Sequence, residues 1–482
     1  MDGEVARRVG VATAINWTAW IVARALALAT LVMLTRALPT DDLGALLAAL
    51  AAGVLGGALA TGGLGDAIAR QAAVAEDGQV GFGRGDLHRA LRRFVAVLPL
   101  VLVAVVVITA DSSPGFGASQ VLAACVLAVT QGATTIVASA FRARGQPGRF
   151  AVATNLASSV GRAAIALVAL VGGLGGGPVI WAFAAVNAVV ALATWRDAVR
   201  DLPETTSTVE GEGALQLGGM VWSLLGNLDV VAVGLLLGAG SAGVYSVSLR
   251  VAEFSAQFVV AISLFYLPEA TRLVVSGSRE ALLSLYRAAC RWSAATTLLA
   301  AGVGFVAAPD IAAILFPDDP GPSTTVLRIL FVGYAVQGSL GVSYSTLAAI
   351  AAYKEIRVSA LVSLPLVVAG TAALVELWGL TGAATATLAA YVGLNVWWTE
   401  RATALLEASP FDSRYLRALV ACAAGWVAAA LAAWLLADAA PVATLAATVV
   451  AGLATWTALL PASGALGPTE LAVLRRGAVR AS

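Results

Sequence analysis

The sequence predicts an all-α polytopic membrane protein with about 14 transmembrane helices. Two observations carry this prediction. The 482 residues are 60% hydrophobic and 12% charged, whereas soluble domains carry about 25% charged residues. The apolar residues also recur along the whole chain in blocks of about 20, the length that crosses a bilayer as a helix. Because a bilayer accepts only helices or closed barrels, and these blocks are too long for barrel strands, the spans are helical.

Each apolar block of spanning length is assigned to one helix. The fourteen predicted spans are approximately 11–34, 43–65, 94–111, 118–141, 150–172, 178–195, 214–237, 242–267, 290–309, 323–350, 357–377, 381–399, 416–437 and 441–461.

The distribution of basic residues tests this count and predicts the orientation. Cytoplasmic loops of membrane proteins are enriched in Lys and Arg. With the N-terminus placed in the cytoplasm, the predicted cytoplasmic segments and the span ends that border them hold 24 of the 29 basic residues, and the external loops hold only Arg36. A missed span would move the following arginines outside, so the pattern supports fourteen spans with both termini cytoplasmic. The remaining four basic residues, Arg24, Arg162, Arg250 and Arg328, lie inside predicted spans.

An internal repeat divides the chain into two predicted lobes. "FRARGQPGRFAVATN" between spans 4 and 5 is placed like "IAAYKEIRVSALVS" between spans 10 and 11, and "LPTDDLGAL" corresponds to "GAGSAGVYS". Six spans separate the copies, so both lobes enter the membrane with the same orientation and form a parallel pseudo-repeat. The predicted domains are an N-terminal lobe (1–195), a polar cytoplasmic linker (196–213), a C-terminal lobe (214–400), and spans 13 and 14 with a tail (401–482).

Several of these landmarks also carry a family resemblance. "LTRALPTDDLG" (34–44), "LDVVAVGLLLGAGSAGVYSVSLR" (228–250), Pro268 and "GLTGAA" (379–384) stand in the order and spacing of one family. They resemble polysaccharide flippases of the multidrug/oligosaccharidyl-lipid/polysaccharide exporter superfamily. The resemblance covers about 400 residues through individually degenerate motifs. It implies a two-lobe transporter that flips isoprenoid-linked sugars outward by alternating access, and it supplies no fixed catalytic residues.

Polar stripes accompany three of the intramembrane arginines. A charged side chain at the bilayer centre is costly, so it faces a protein interior or water. Helical spacing places the polar residues of a span on one face. The stripes are Asn16, Trp20 and Arg24 in span 1; Asn155, Ser158, Ser159 and Arg162 in span 5; Ser246, Arg250, Glu253 and Gln257 in span 8; and Thr387, Tyr391 and Asn395 in span 12.

These stripes predict a hydrated, cationic central cavity that binds substrate. A guanidinium binds phosphate oxygens through two parallel hydrogen bonds and stays charged, which suits a pyrophosphate headgroup. The alternative is that the arginines pair locally. Glu253 lies one turn from Arg250, whereas Arg24 and Arg162 have no carboxylate within a turn; Arg328, near a span end, is placed to snorkel toward the interface. The substrate-binding candidates are Arg24, Arg162, Arg250, Asn16, Trp20, Asn155, Ser159, Gln257, Tyr391 and Asn395.

Two intramembrane carboxylates, Asp229 and Glu253, are the candidates for binding a coupling ion. Asp229 could take up H⁺ or Na⁺, or pair with an arginine of another helix. The three cysteines lie in separate apolar blocks without metal-ligand spacing. We therefore predict no metal site, no cofactor and no catalytic residue.

The predicted function is the flipping of an isoprenoid-pyrophosphate-linked oligosaccharide across a cell membrane for surface glycan assembly. The expected partners are this substrate and membrane lipids, with a functional link to glycosyltransferases and a polymerase and none to nucleic acid. One alternative is a multidrug or cation exporter of the same superfamily, which would favour carboxylates over arginines. A membrane glycosyltransferase or polymerase fits less well, because such enzymes typically need a substantial external loop and every predicted external loop is short.

Overall fold

The computed structural model describes residues 22–61, 83–110, 117–143, 156–200 and 212–465, whose regular structure is helical throughout. Among these residues, ten helices are long and apolar enough to cross a membrane. The all-α polytopic fold class predicted from composition is therefore confirmed.

Each predicted span overlaps a helix. In the first half, α1 covers the described residues 22–37, followed by α2 (Thr40–Thr61), α3 (Arg84–Ala110), α4 (Ala118–Ala143), α5 (Ala157–Gly172), α6 (Gly176–Arg200), α7 (Glu212–Leu225) and α8 (Leu228–Glu253). After a 3₁₀ turn at Phe254–Ala256 come α9 (Gln257–Val275), α10 (Arg279–Val306), α11 (Ala308–Leu315), α12 (Pro320–Leu340), α13 (Ser343–Ala349), α14 (Tyr353–Leu406), α15 (Ser413–Leu435) and α16 (Pro441–Ala462).

The helix boundaries differ from the predicted spans at two places. Predicted span 7 is interrupted at Gly226–Asn227, and predicted span 10 is interrupted at Gly341, whose φ is 69°. By contrast, α8 and α14 each consist of two helical segments that meet at one non-helical residue, and that residue lies in the loop predicted between two spans. These residues are Gly238 (φ 84°) and Gly379 (φ 58°). Glycine suits both positions because residues with a Cβ rarely adopt positive φ.

The described chain divides into two compact units. Unit 1 holds the residues up to Arg250 together with Ile356–Thr387, and unit 2 holds Val251–Glu355 together with the residues from Leu388 onward. These units are defined by contacts, whereas the lobe boundaries at 195, 214 and 400 rest on the sequence repeat. The lobe boundaries therefore stay a prediction.

Helix α2 lies at the centre of unit 1 and contacts α3, α4, α6 and α7. Its sequence, TDDLGALLAALAAGVLGGALAT, consists largely of alanine, glycine and leucine. In a bilayer the lipid tails are as apolar as the side chains, so the hydrophobic effect does not drive helices together. Helices associate instead through close packing, and small residues let their backbones approach. Most residues of α2 are consequently buried, including Leu43 and Leu46.

Two glycines, one in each of the two corresponding repeat motifs, bring α2 and α8 into backbone contact. A Cβ added to Gly44 would overlap the carbonyl oxygen of Ala239, and one added to Gly243 would lie 2.6 Å from the carbonyl oxygen of Thr40. The contact is therefore reciprocal, and it joins the start of α2 to the beginning of the α8 segment that follows Gly238. Both glycines are buried, and only glycine fits this approach without movement of the backbone.

In unit 2, α10 occupies the central position and contacts α9, α12, α15 and α16. Its buried residues Ala294, Leu298 and Leu299 pack against Cys422 and Ala429 of α15. Trp426 of α15 also donates its indole N–H to the carbonyl oxygen of Leu298 at 2.8 Å. Apolar packing and this hydrogen bond attach the last two helices to the rest of unit 2.

Candidate functional site

Three predicted site residues, Asn16, Trp20 and Asn155, lie outside the described residues. Arg24 belongs to the described part of α1 and is half-buried. An ion pair between Asp229 and an arginine of another helix was one of the two roles open to this carboxylate from sequence. Arg24 does not lie within ion-pair distance of that carboxylate, whose partners in the described part of the chain are uncharged.

Among the predicted site residues, Arg162 has the most completely described hydrogen bonds. Its side chain belongs to a hydrogen-bonded cluster formed by three helices of unit 1. Its Nη2 donates to Oε1 of Gln131 on α4 at 2.6 Å and to Oδ1 of Asn187 on α6 at 2.8 Å. Asn187 donates its Nδ2 to the same Oε1 of Gln131 at 3.1 Å. We call these three residues the arginine–amide cluster. Ser159 lies on α5 near Arg162 and is half-buried.

Helix packing explains why the cluster forms. Helix α6 contacts both α4 and α5, so polar side chains that face inward from the three helices meet. Asn187 is 1% exposed, and a buried amide is costly unless it is hydrogen-bonded. The ring of Phe183 also lies 6.0 Å from the guanidinium carbon of Arg162, at the outer limit of a cation–π contact.

Gln131 and Asn187 are site residues that sequence reasoning missed. Each is an amide within a predicted apolar span, and an amide in such a span must find a partner, as an arginine must. The amides in spans 4 and 6 were therefore the available signal. The sequence prediction selected mainly polar residues that share a helix face with a charged residue. Neither Gln131 nor Asn187 lies on such a face, so neither was selected.

The arginine–amide cluster is positively charged overall. Among the described residues, no carboxylate lies within ion-pair distance of Arg162, and its buried Nε makes no hydrogen bond. The guanidinium of Arg250 lies within electrostatic range of Arg162. Arg250 itself donates to Oδ1 of Asn227 at 2.9 Å, at the break between α7 and α8. Another neutral amide thus contacts another predicted arginine.

Asp229 lies in the same unit and is 2% exposed. Its Oδ2 accepts hydrogen bonds from the hydroxyls of Tyr245 at 2.7 Å and Thr387 at 2.9 Å. Its Oδ1 accepts one from the backbone N–H of Val230 at 2.8 Å. The carboxylate is therefore held by neutral donors from both α8 and α14, and Arg250 lies within electrostatic range of it.

The remaining candidates belong to unit 2 and make mainly local contacts. Tyr391 packs against Tyr334 with ring centroids 5.2 Å apart, and Asn395 donates to the carbonyl oxygen of Tyr391 one turn earlier at 2.9 Å. Gln257 donates to Oε1 of Glu253 at 3.2 Å. The structure thus brings Arg162, Arg250 and Asp229 together in unit 1, whereas Tyr391, Asn395, Gln257 and Glu253 belong to unit 2.

No protein-family model and no curated protein matches the sequence significantly. Solved structures, in contrast, match nearly the whole fold. The chain resembles "Lipid II flippase MurJ, inward closed conformation" with a TM-score of 0.64 at 12% identity, covering 92% of this chain and 97% of that one. It resembles an inward-facing multidrug resistance MATE transporter of the MOP superfamily with a TM-score of 0.56 at 15% identity, covering 82% and 99%.

A third solved structure is a MOP superfamily transporter from Pyrococcus furiosus. For that protein, the reverse polarity of its binding pocket suggests a different function. The TM-score is 0.55 at 17% identity, and the match covers 83% of this chain and 96% of that one. Because identity is low in all three cases, the likeness establishes the fold. This chain has the fold of MOP-superfamily transporters, as the sequence resemblance predicted.

Proposed function

We propose that this protein flips an isoprenoid-pyrophosphate-linked oligosaccharide from the inner to the outer leaflet by alternating access. The observation that carries the proposal is the arginine–amide cluster, in which Arg162 is held inside unit 1 by neutral partners. Arg24 and Arg250 contribute further positive charge to the same unit. A pyrophosphate is the part of the cargo that such an interior attracts.

The energetic cost of the arginine supports a role beyond structure. An arginine at the centre of a membrane helix costs about 2.5–3.5 kcal/mol on insertion scales. A salt bridge to a carboxylate would offset part of this cost, but the described partners of Arg162 are amides. The guanidinium therefore keeps a charge that a phosphate can neutralise through two parallel hydrogen bonds.

The likeness to MurJ supports the same class of cargo, because that protein is a lipid II flippase. The cargo of this chain would be recognised by its diphosphate and by its sugars. Amides and aromatic rings such as those of Asn16 and Trp20 suit hydrogen bonding and stacking with sugar rings. Surface glycan assembly would then link the protein to glycosyltransferases and a polymerase at the plasma membrane, with both of its termini cytoplasmic.

A multidrug or cation exporter is the second candidate, and one observation favours it. Asp229 is a buried carboxylate without an ion-pair partner among the described residues, and a carboxylate can bind a cationic drug or a coupling ion. In the flippase proposal, Asp229 and Glu253 remain candidates for binding H⁺ or Na⁺. The two candidates differ in the sign of the transported charge, so transport assays separate them.

The test is transport by purified protein in liposomes. We expect the protein to move a fluorescent isoprenyl-pyrophosphate sugar between leaflets, and not to export lipophilic cationic drugs. The comparison variant is Arg162→Gln, which keeps a polar side chain but removes the charge. It should move the lipid-linked sugar more slowly than wild type. Drug export without movement of the lipid would reject the flippase proposal in favour of the exporter.

A further inference from the structure

We propose that Gln131 and Asn187 are positioning residues whose neutrality keeps Arg162 available to an anionic headgroup. This inference rests on the proposed function and adds to it a selectivity mechanism. The two amides hold the guanidinium in place without cancelling its charge. Selectivity for a pyrophosphate would then depend on residues that need not touch the substrate.

A ring of hydrogen bonds fixes the position of the Arg162 guanidinium. Arg162 donates to Gln131 and Asn187, and Asn187 donates in turn to Gln131, at 2.6, 2.8 and 3.1 Å respectively. The three bonds form a closed ring in which each amide uses a carbonyl oxygen toward the arginine. Because Asn187 also donates to Gln131, the ring fixes which way both amides point. The side chains of three helices therefore hold one end of the guanidinium, its Nη2, in a defined place.

The ring of hydrogen bonds uses only part of the donors of the Arg162 guanidinium. Nη1 and Nε of Arg162 make no hydrogen bond with another described residue, and Nε is buried. An arginine carries five N–H donors and no acceptor. Since Nη2 supplies only two of these donors, the guanidinium retains the capacity to bind an anion on its other side.

The amide partners of Arg162 leave its positive charge in place. An amide oxygen and a carboxylate oxygen accept the same hydrogen bond, but only the carboxylate neutralises the arginine. The described hydrogen bonds of Arg162 and its contact with the ring of Phe183 are all with uncharged groups. Replacing Gln131 by glutamate changes its shape little and turns the neutral acceptor into a competing anion. Charge-assisted hydrogen bonds are markedly stronger than neutral ones, so a substrate phosphate would have to displace this internal partner.

The experiment measures transport and stability on the same proteins. Gln131→Glu and Asn187→Asp are reconstituted in liposomes with a fluorescent isoprenyl-pyrophosphate sugar, and thermal unfolding is recorded in detergent. The matched control is Gln120→Glu, which adds the same charge to the same helix near its N-terminal end. We expect both acidic variants to transport roughly tenfold to a hundredfold more slowly. Both should unfold at an equal or higher temperature than wild type, and the control should transport normally.

Two further variants separate positioning from bulk structure. Arg162→Gln should abolish any gain in unfolding temperature from Gln131→Glu, because the new pair is then missing. Gln131→Asn, a neutral amide, should retain more transport than Gln131→Glu. A merely structural glutamine would show the opposite order, since glutamate preserves its size and asparagine does not.

Three other outcomes would contradict either the inference or the proposed function. Normal transport by Gln131→Glu would overturn the inference while leaving the proposed function intact. A loss of stability in Gln131→Glu or Asn187→Asp would also overturn it, because an uncompensated guanidinium should accommodate a nearby carboxylate. If wild-type protein moves no isoprenyl-pyrophosphate sugar, the proposed function fails, and the selectivity inference fails with it.

Discussion

The substitution Gly44→Ala tests the backbone contact between α2 and α8. Two effects oppose each other at this position. Alanine is favoured over glycine within a helix by about 1 kcal/mol, so an unobstructed site would be stabilised. At Gly44, however, the added methyl group would overlap the carbonyl oxygen of Ala239. Overpacking of a close-packed interior costs about 1–3 kcal/mol, and the upper end applies because the overlapped atoms belong to the backbone. After the gain of about 1 kcal/mol is subtracted, we expect a net destabilisation of about 2 kcal/mol.

The control is Gly370→Ala in α14. A Cβ at Gly370 meets no atom within 4 Å, so this variant should be as stable as wild type or more stable. Gly243→Ala should behave like Gly44→Ala, because its Cβ would lie 2.6 Å from the backbone oxygen of Thr40. Thermal unfolding of the three detergent-purified variants measures the difference. If Gly44→Ala and Gly370→Ala shift the unfolding temperature in the same direction by similar amounts, the close contact does not determine stability.

The remaining predictions concern topology, substrate and coupling. Cysteines introduced at Gly81 and Thr206 should be shielded from an impermeant thiol reagent in intact cells, whereas one at Asp319 should react; labelling at Gly81 would contradict the predicted orientation. Arg24→Ala should abolish movement of the lipid-linked sugar, and Arg24→Lys should retain part of it because charge survives without the bidentate fork; equal activity of both variants would argue against phosphate binding. Asp229→Asn can still accept the hydrogen bonds of Tyr245 and Thr387 through its amide oxygen, although its amide nitrogen cannot accept from the backbone N–H of Val230. Because the substitution removes the charge, it should abolish the dependence of transport on an ion gradient, and an unchanged dependence in liposomes would exclude Asp229 as the coupling-ion site.

The sequence determined the class of fold, because hydropathy and charge act over whole segments. Spans of about 20 apolar residues require helices in a bilayer whatever their neighbours are. The repeat and the motifs around 34–44 and 228–250 predicted the superfamily fold, and the match to MurJ and MATE structures confirmed it. Local signals also placed both turns of the repeat correctly, since α1 ends just before Thr40 and the two segments of α8 meet at Gly238.

The partners of the charged residues were decided only by tertiary structure. Sequence periodicity places residues on a face of one helix but does not say which other helix that face meets. Thus Arg162 was found from sequence, whereas its acceptors Gln131 and Asn187 come from α4 and α6. The same limit applies to Asp229, whose hydroxyl donor Thr387 is distant in the chain.

The breaks within helices were likewise beyond the reach of hydropathy. Gly226–Asn227 and Gly341 interrupt α-helical structure inside continuous apolar segments, so a window of 20 residues averages across them. Such breaks persist where neighbouring groups satisfy the freed backbone, as Tyr415 does by donating to the carbonyl oxygen of Ser339 at 2.7 Å. Composition therefore determined that the chain crosses a membrane as helices, while packing between helices decided where those helices break and which polar groups they bring together.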